Sequence, residues 1–178
     1  MTLTLRLVLM TLLAFSPAVH AKSSGSEAKA FDQLKTLVGE WEGTNSAGKV
    51  KATYTLASSG TVLMERLQSA NEAEMITMYS ADGDHIVVTH YCSEGNQPQM
   101  KSEVLMMGHP QKFLFSLVRV TGLKNADDGH MVGLTITIVD KDHLTHQWKY
   151  QAKGKTSADL FQFTRKPEKV ATVVPSGH

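Results

Sequence analysis

From Gly39 to Arg165 the sequence consists of short runs in which apolar and polar residues alternate, and polar turn signals separate the runs. Side chains of a β-strand point alternately to its two faces, so each run is typical of a strand with one buried face. No helical segment long enough to connect parallel strands interrupts the series. The sequence therefore predicts an all-β domain in which consecutive strands pair antiparallel.

We count ten such runs, and the clearest turns between them contain Gly or Asp, as in Asp82-Gly83 and Asp128-Gly129. Turns of this kind between β-branched runs favour hairpins. The predicted strands are 40–45, 50–56, 61–68, 74–79, 85–92, 99–107, 112–121, 130–139, 143–151 and 157–164. Closing the sheet would remove both exposed edges. We expect an up-and-down antiparallel β-barrel of about ten strands, with an open sandwich as the alternative.

Residues 1–21 have the features of a secretory signal peptide. Arg6 is their only charge, 7–15 is a short apolar run, and Val19 and Ala21 are the small residues that a signal peptidase reads. The apolar run is shorter than the roughly 20 residues of a membrane span. We expect cleavage after Ala21 and a periplasmic or secreted protein without a transmembrane anchor.

The domain organisation follows from these boundaries. Residues 22–38 form a polar lead-in and a short helix, 39–166 the barrel, and 167–178 a flexible tail. The helix is predicted over 26–38, because Ser24 and Glu27 have capping-box spacing and apolar residues recur at helical intervals. Gly39 is the candidate for its C-cap.

Composition excludes several classes of function. Without residues 1–21 the chain has 157 residues, with 17 basic and 17 acidic side chains, so nucleic acid is not an expected partner. Cys92 is the single cysteine, and an intrachain disulfide is therefore impossible. No His-x-His or Cys-x-x-Cys pair occurs, and neither a metal nor a cofactor is predicted. The oligomeric state is left open.

The segment Leu37-Val38-Gly39-Glu40-Trp41-Glu42-Gly43 resembles the start of the calycin barrels, which include lipocalins, fatty-acid-binding proteins and nitrobindin-like proteins. The resemblance implies that Gly39 and Trp41 close one end of the barrel. A nitrobindin-like barrel would hold haem through a histidine near the last strand. The last predicted strand here contains no histidine, and this departure argues against haem.

A second resemblance lies in the middle of the chain. The segments 74–79, 82–84, 89–92 and 96–98 are similar to a family of uncharacterised exported bacterial proteins that are predicted to be lipocalin-like barrels. The similarity covers most of 31–165. It implies the fold, and the family carries no established function to transfer.

The segment 89–98 gathers the residues most suited to chemistry. Alternation places His90 and Cys92 on one face with Ile86 and Val88, and Tyr91 on the other. We expect His90 and Cys92 to face the interior. Residues two apart on a strand have Cβ atoms about 6.5–7 Å apart, which is awkward for a direct hydrogen bond. A ligand contact, an ordinary core role and, less readily, catalysis all remain open for them.

The other cavity candidates are polar or aromatic residues on strands. Arg119 shares a predicted face with Phe113 and Phe115, so it is either a carboxylate clamp inside the barrel or a solvated strand end. His146, Trp148 and Tyr150 form one stripe that lines a cavity or fills the core. Tyr54 and Glu65 complete the set of candidates.

Three functions are weighed. The first is a non-enzymatic barrel that binds a small apolar or amphipathic molecule in an apolar cavity with a few polar groups. The alternative is a structural or interaction module of the cell envelope with a filled barrel. The third is an enzyme that uses His90 with Glu65 or Cys92, which requires those side chains to converge.

Overall fold

The computed structural model describes residues 27–70, 72–103 and 111–167. Within these ranges the chain forms one helix and ten strands, and a short 3-10 turn at Ser58–Gly60 joins the second strand to the third. The elements are α1 (Glu27–Lys35), β1 (Gly39–Asn45), β2 (Gly48–Ala57), β3 (Val62–Ser69), β4 (Met75–Asp82), β5 (His85–Tyr91), β6 (Gln97–Ser102), β7 (Gln111–Thr121), β8 (His130–Ile138), β9 (His143–Ala152) and β10 (Lys155–Arg165).

The ten strands form a closed antiparallel barrel in chain order, as the alternation predicts. The last strand, β10, pairs with the first, β1, from Trp41 opposite Arg165 to Thr44 opposite Gln162. Gly43 lies in this seam, where a Cβ atom would come within 2.0 Å of the carbonyl oxygen of Gln162. A residue without a side chain therefore lets the two strands meet, and the open sandwich is excluded.

One end of the barrel is closed by α1. The helix buries Phe31 and Leu34, and Leu37 is buried just beyond it. Full burial of side chains of this size stabilises the fold by about 1.5–3 kcal/mol each. Trp41 is also buried here, and its Nε1 donates a hydrogen bond to the carbonyl oxygen of Leu37 at 2.8 Å. The helix is thereby fixed to the first strand.

Arg165, at the end of β10, fastens the same junction. Its guanidinium lies over the Trp41 ring, 4.1 Å from the centroid. It donates hydrogen bonds to the carbonyl oxygens of Thr36 and Val38, both at 2.7 Å. The link between helix and barrel thus depends on contacts between residues far apart in the chain.

The helix prediction is partly wrong at its C-terminal end. The helix ends at Lys35, whereas 26–38 was expected, and Gly39 is the first residue of β1 with φ +129. Gly39 is therefore not a C-cap. Ser24, the predicted signal peptide and residues 168–178 of the predicted tail lie outside the described residues. No helix in the described ranges has the length and hydropathy of a membrane span.

The opposite end of the barrel, which we call the mouth, is formed by the connections that follow β1, β3, β5, β7 and β9. At the mouth, Asn96 is buried and donates from Nδ2 to the carbonyl oxygen of Gly129 at 2.8 Å. This bond joins the turn after β5 to the connection between β7 and β8. The mouth is therefore shaped by contacts between its connections.

Candidate functional site

A row of polar side chains crosses the interior of the barrel. Tyr54, Glu65, Thr77 and His90 occupy directly paired positions on β2, β3, β4 and β5. Paired positions of neighbouring strands point to the same face, so all four side chains enter the barrel together, and all four are buried. We call these four residues, with Tyr79 and His146, the polar belt.

The polar belt is internally hydrogen-bonded. Tyr79 donates from its hydroxyl to Glu65 Oε2 at 2.6 Å, and the hydroxyl of Tyr54 lies 3.0 Å from His146 Nε2. The hydroxyl of Thr77 lies 3.0 Å from His90 Nδ1. Buried polar groups need such partners, because an unpaired one costs about 1–3 kcal/mol.

Burial keeps the belt uncharged at mildly acid pH. It raises the pKa of Glu65 to about 7, against the opposing hydrogen bonds from Tyr79, Tyr54 and Thr77. Burial also lowers the pKa of His146 to about 3. Between about pH 3 and pH 7 the 3.5 Å contact between His146 Nδ1 and Glu65 Oε1 is therefore a contact between neutral groups, and not a salt bridge.

Four buried polar atoms in and beside the belt have no partner among the described residues. They are Glu65 Oε1, His146 Nδ1, His90 Nε2 and Trp148 Nε1. A proton on Glu65 Oε1 faces His146 Nδ1 and would serve both atoms. His90 Nε2 and Trp148 Nε1 form no hydrogen bond with any described residue, although their rings are in contact with centroids 4.6 Å apart.

Above these two rings, toward the mouth, the barrel contains a cavity of about 520 Å3, which we call the mouth cavity. Its volume lies in the range of small-molecule sites. Apolar and aromatic groups from several strands line it together with polar groups of the rim. The lining residues are Asn45, Ser46, Glu72, Met75, Cys92, Ser93, Glu94, Met131, Trp148, Tyr150, Ser157, Ala158, Asp159 and Phe161.

Two larger depressions are poorer candidates. One of about 760 Å3 lies over β1, β2 and β3, and one of about 890 Å3 lies beside the junction of β1 and β10. Most of their lining residues, such as Lys49, Lys51 and His143, are exposed on the outer wall. They are open surface depressions, whereas the mouth cavity reaches side chains of the buried core.

Cys92 is half-buried in the mouth cavity, directly after the end of β5. Burial raises the pKa of its thiol most, a hydrogen bond to the backbone of Glu94 and one to the side chain of Ser93 lower it, and the carboxylates of Glu94 and Glu72 raise it. A raised pKa leaves little of the nucleophilic thiolate at neutral pH. The geometry therefore favours Cys92 as a wall residue rather than a nucleophile.

The interior positions of His90, Cys92, His146 and Trp148 agree with the alternation of the sequence. His90 and His146 are buried in the belt, whereas Cys92 and Trp148 line the mouth cavity. Tyr150 lines it as well. The candidates are thus divided between two neighbouring layers of the barrel.

Arg119 is not a carboxylate clamp. It is exposed, and its Nε donates to the side chain of Gln99 at 2.6 Å on the outer wall. The reason is a β-bulge, because Gln99 pairs with Arg119 while Met100 pairs with Leu117, which leaves Val118 without a partner. One extra residue reverses the alternation from that point.

The arrangement does not bring His90 and Glu65 together as the catalytic pair of the third, least favoured interpretation. Thr77 on β4 lies between Glu65 on β3 and His90 on β5. His90 is hydrogen-bonded to Thr77, and Glu65 to Tyr79. Burial, with a smaller effect of His146, lowers the pKa of His90 to about 4. The described residues contain no group of three or more His, Cys, Asp or Glu side chains that could hold a metal ion.

Several site residues were not identified from the sequence. Thr77, Tyr79 and Met75 share the inner face of β4, and Phe161 that of β10. Alternation alone indicates that these residues face inward. The pairing register between strands decides which of the inward residues contact each other. Alternation along one strand does not predict that register.

The comparisons with known proteins address the fold. No protein-family model matches the chain, and no curated protein matches it. The crystal structure of Rv2717c from M. tuberculosis is similar at a TM-score of 0.60 and 10% identity, covering 78% of this chain and 98% of that chain. A DUF3598-family protein of unknown function from Nostoc punctiforme PCC 73102 is similar at a TM-score of 0.53 and 16% identity.

The second match covers 75% of this chain and 49% of that chain, so this chain spans about half the length of that protein. At these identities the likeness shows a shared barrel fold and nothing about function.

Proposed function

We propose that this protein is an exported, lipocalin-like barrel that binds a small apolar or amphipathic molecule in the mouth cavity. The observation that carries the proposal is a cavity of about 520 Å3 whose walls include Met75, Met131 and Phe161 and whose floor is Trp148. Small-ligand sites are concave and mostly apolar, with a few polar groups that orient the ligand. The proposal is for binding without chemical conversion.

Two sequence features support the remaining parts of the proposal. The signal-like residues 1–21 support export. The Gly39-x-Trp41 segment after a short helix supports the lipocalin-like assignment, and the buried Trp41 lies at the helix-closed end. Export is tested by fusing residues 1–30 to a reporter that is active only outside the cytoplasm, with R6E as the impaired control.

Binding is tested with decan-1-ol, a neutral amphiphile, titrated into the mature chain while tryptophan emission is recorded. The chain contains two tryptophans, and in the variant W41F only Trp148, on the cavity floor, reports. We expect a saturable change of Trp148 emission. The unfolding temperature of the wild-type protein should rise in parallel, because a ligand at a free concentration of about 100 times its Kd raises the free energy of unfolding by about 2.7 kcal/mol. Absence of both effects would refute the proposal.

The second candidate is an interaction module with a filled barrel. It is favoured by the interior below the mouth cavity, where Phe113, Phe115 and Phe163 are buried and Tyr79 packs against Phe115 with ring centroids 6.2 Å apart. A filled half gives rigidity and does not require a ligand. If decan-1-ol and other amphiphiles fail to bind, this candidate takes the place of the first.

A further inference from the structure

We propose that the mouth cavity selects a cationic amphiphile, an organic amine whose apolar body enters the barrel while its positive charge stays at the rim. The inference rests on the proposed function and adds the charge class of the ligand. It contrasts with the carboxylate-bearing ligand that an inward Arg119 would have recognised.

The first observation is the charge of the lining. Glu72, Glu94 and Asp159 contribute three carboxylates to the mouth cavity, and no Lys, Arg or His of the described residues lines it. Asp159 is held at the rim by hydrogen bonds from Asn45 Nδ2 at 3.0 Å and the backbone N–H of Ser46 at 3.2 Å. Clefts lined by charges of one sign raise the local concentration of ions of the other sign.

These carboxylates are not neutralised by neighbouring cations. None of the ion pairs among the described residues includes Glu72, Glu94 or Asp159. Burial is the largest cause of the raised pKa of Cys92 and of Tyr150, and the negative charge of Glu94 raises both further, with a smaller effect of Glu72 on Cys92. The field of these carboxylates therefore reaches into the cavity. The three carboxylates would repel an anionic ligand and attract a cationic one.

The second observation is the cavity floor. Trp148 is 2% exposed, lines the cavity, and has no hydrogen-bond partner for Nε1 among the described residues. Among the described residues this leaves a buried donor of the floor unpaired, which is costly unless a water or a hydrogen-bond acceptor on the bound molecule pairs with it. An ammonium group has no acceptor, so this donor indicates that the floor is occupied and does not select the charge of the ligand.

The aromatic walls suit the same class of ligand. One side of the cavity is lined by aromatic residues of β9 and β10, namely Trp148, Tyr150 and Phe161. Aromatic faces attract organic cations, and the attraction grows when the cation loses part of its water shell. The thioethers of Met75 and Met131 complete a polarisable wall for the apolar body.

The test uses three probes with the same ten-carbon chain and different heads: decylamine, decan-1-ol and decanoate. Binding to the mature chain is measured by calorimetry at neutral pH and low salt. We expect decylamine to bind about fivefold or more tightly than decan-1-ol, and decanoate to bind more weakly than decan-1-ol. At about 0.5 M salt the differences should shrink, because exposed charges are screened.

The variant E72Q/E94Q assigns the effect to the rim. Both side chains are exposed, so the barrel should fold as in the wild type. We expect the ratio of decylamine to decan-1-ol affinity to fall towards one. The control D84N/E103Q makes the same change of net charge at the helix-closed end and should keep the ratio of the wild type.

The outcomes separate the two proposals. If decan-1-ol binds but decylamine is no tighter, or if decanoate binds best, the cationic inference is wrong while the mouth cavity remains a ligand site. An unchanged ratio in E72Q/E94Q would also overturn it. If none of the three probes binds, the proposed function itself fails and the inference fails with it.

Discussion

Glu65 and His146 show how the barrel tolerates ionisable groups in its core. Both are fully buried, and desolvation disfavours the charged form of each. The carboxyl group keeps its proton to about pH 7, whereas the imidazole stays neutral down to about pH 3. The polar belt is therefore held by hydrogen bonds between uncharged groups over the mildly acid range.

Replacing Glu65 should change the pH dependence of stability. The pKa of Glu65 is raised from 4.5 to about 7, so between these values the unfolded chain loses this proton while the folded chain keeps it. Stability falls as pH rises through this window. The stability of E65Q relative to the wild type should therefore rise by about 1–3 kcal/mol between about pH 4.5 and pH 7, measured by urea unfolding.

The buried histidines have lowered pKa values, so they make stability rise with pH, which is the opposite of the effect of Glu65. Because they are present in both proteins, the comparison of E65Q with the wild type isolates the carboxyl group. E103Q, at an exposed carboxylate, is the control and should show no such gain. A difference between E65Q and the wild type that does not vary with pH would mean that Glu65 ionises normally in the folded state.

Cys92 should react slowly as a thiol. Its pKa is raised, first by burial, so at about pH 7.5 alkylation by iodoacetamide should be several-fold slower than that of a free cysteine peptide. Decan-1-ol should slow it further, because Cys92 lines the mouth cavity. Mass spectrometry measures the rate without ambiguity, since the chain has one cysteine. Fast labelling that decan-1-ol leaves unchanged would place the thiol outside the site.

Strands β5 and β7 show where alternation predicts which side chains face the interior and where it does not. In β5 the period of two is unbroken, so His90 faces inward and Tyr91, at 49% exposure, faces outward as predicted. In β7 the bulge leaves Val118 at 64% exposure and turns Arg119 outward. A bulge arises from the pairing of two strands, and the sequence of β7 contains no residue that predicts it.

Removing the Arg119 side chain should leave ligand binding unaffected. R119A breaks the hydrogen bond to Gln99 on the outer wall and changes nothing that lines the mouth cavity. We expect the affinity for decan-1-ol and for decanoate to stay within about twofold of the wild type, and stability to change by less than about 1 kcal/mol. Q99A is the matched control. A selective loss of decanoate binding in R119A would restore the carboxylate clamp.

The seam between β1 and β10 should be sensitive to a single methyl group. G43A places a Cβ against the backbone carbonyl of Gln162, which cannot move away as a flexible side chain could. We expect a loss of about 2 kcal/mol or more, because overpacking forces the backbone to shift. T44A, at the exposed neighbouring position, should lose far less in the same thermal unfolding experiment. Equal stabilities would show that the seam is looser than described.

At the scale of the whole molecule, the barrel is filled in one half and open in the other. The helix with Phe113, Phe115 and Phe163 fills the lower half, the polar belt crosses the middle, and the mouth cavity occupies the top. The sequence predicted the closed ten-strand barrel because the period of two and the turn signals recur over the whole domain. It could not predict the cavity, since cavity volume depends on how opposite walls meet.

The division into halves explains why two functional interpretations were both reasonable from the sequence. The filled-barrel interpretation describes the lower half, and the ligand-binding interpretation describes the mouth. Rigid support beneath a cavity is what a binding site requires, because walls that are held in place lose little entropy when a ligand enters. The filled half and the open half are therefore both compatible with the proposed ligand-binding function.

The most direct test of the central claim is a crystal structure of the mature protein with a ten-carbon alkanol that carries a bromine atom at its chain end. Anomalous scattering locates the bromine independently of the protein. We expect one bromine peak inside the mouth cavity, in contact with Trp148 or Phe161. A bromine peak found only on the outer wall, or none in a crystal grown with saturating alkanol, would contradict it.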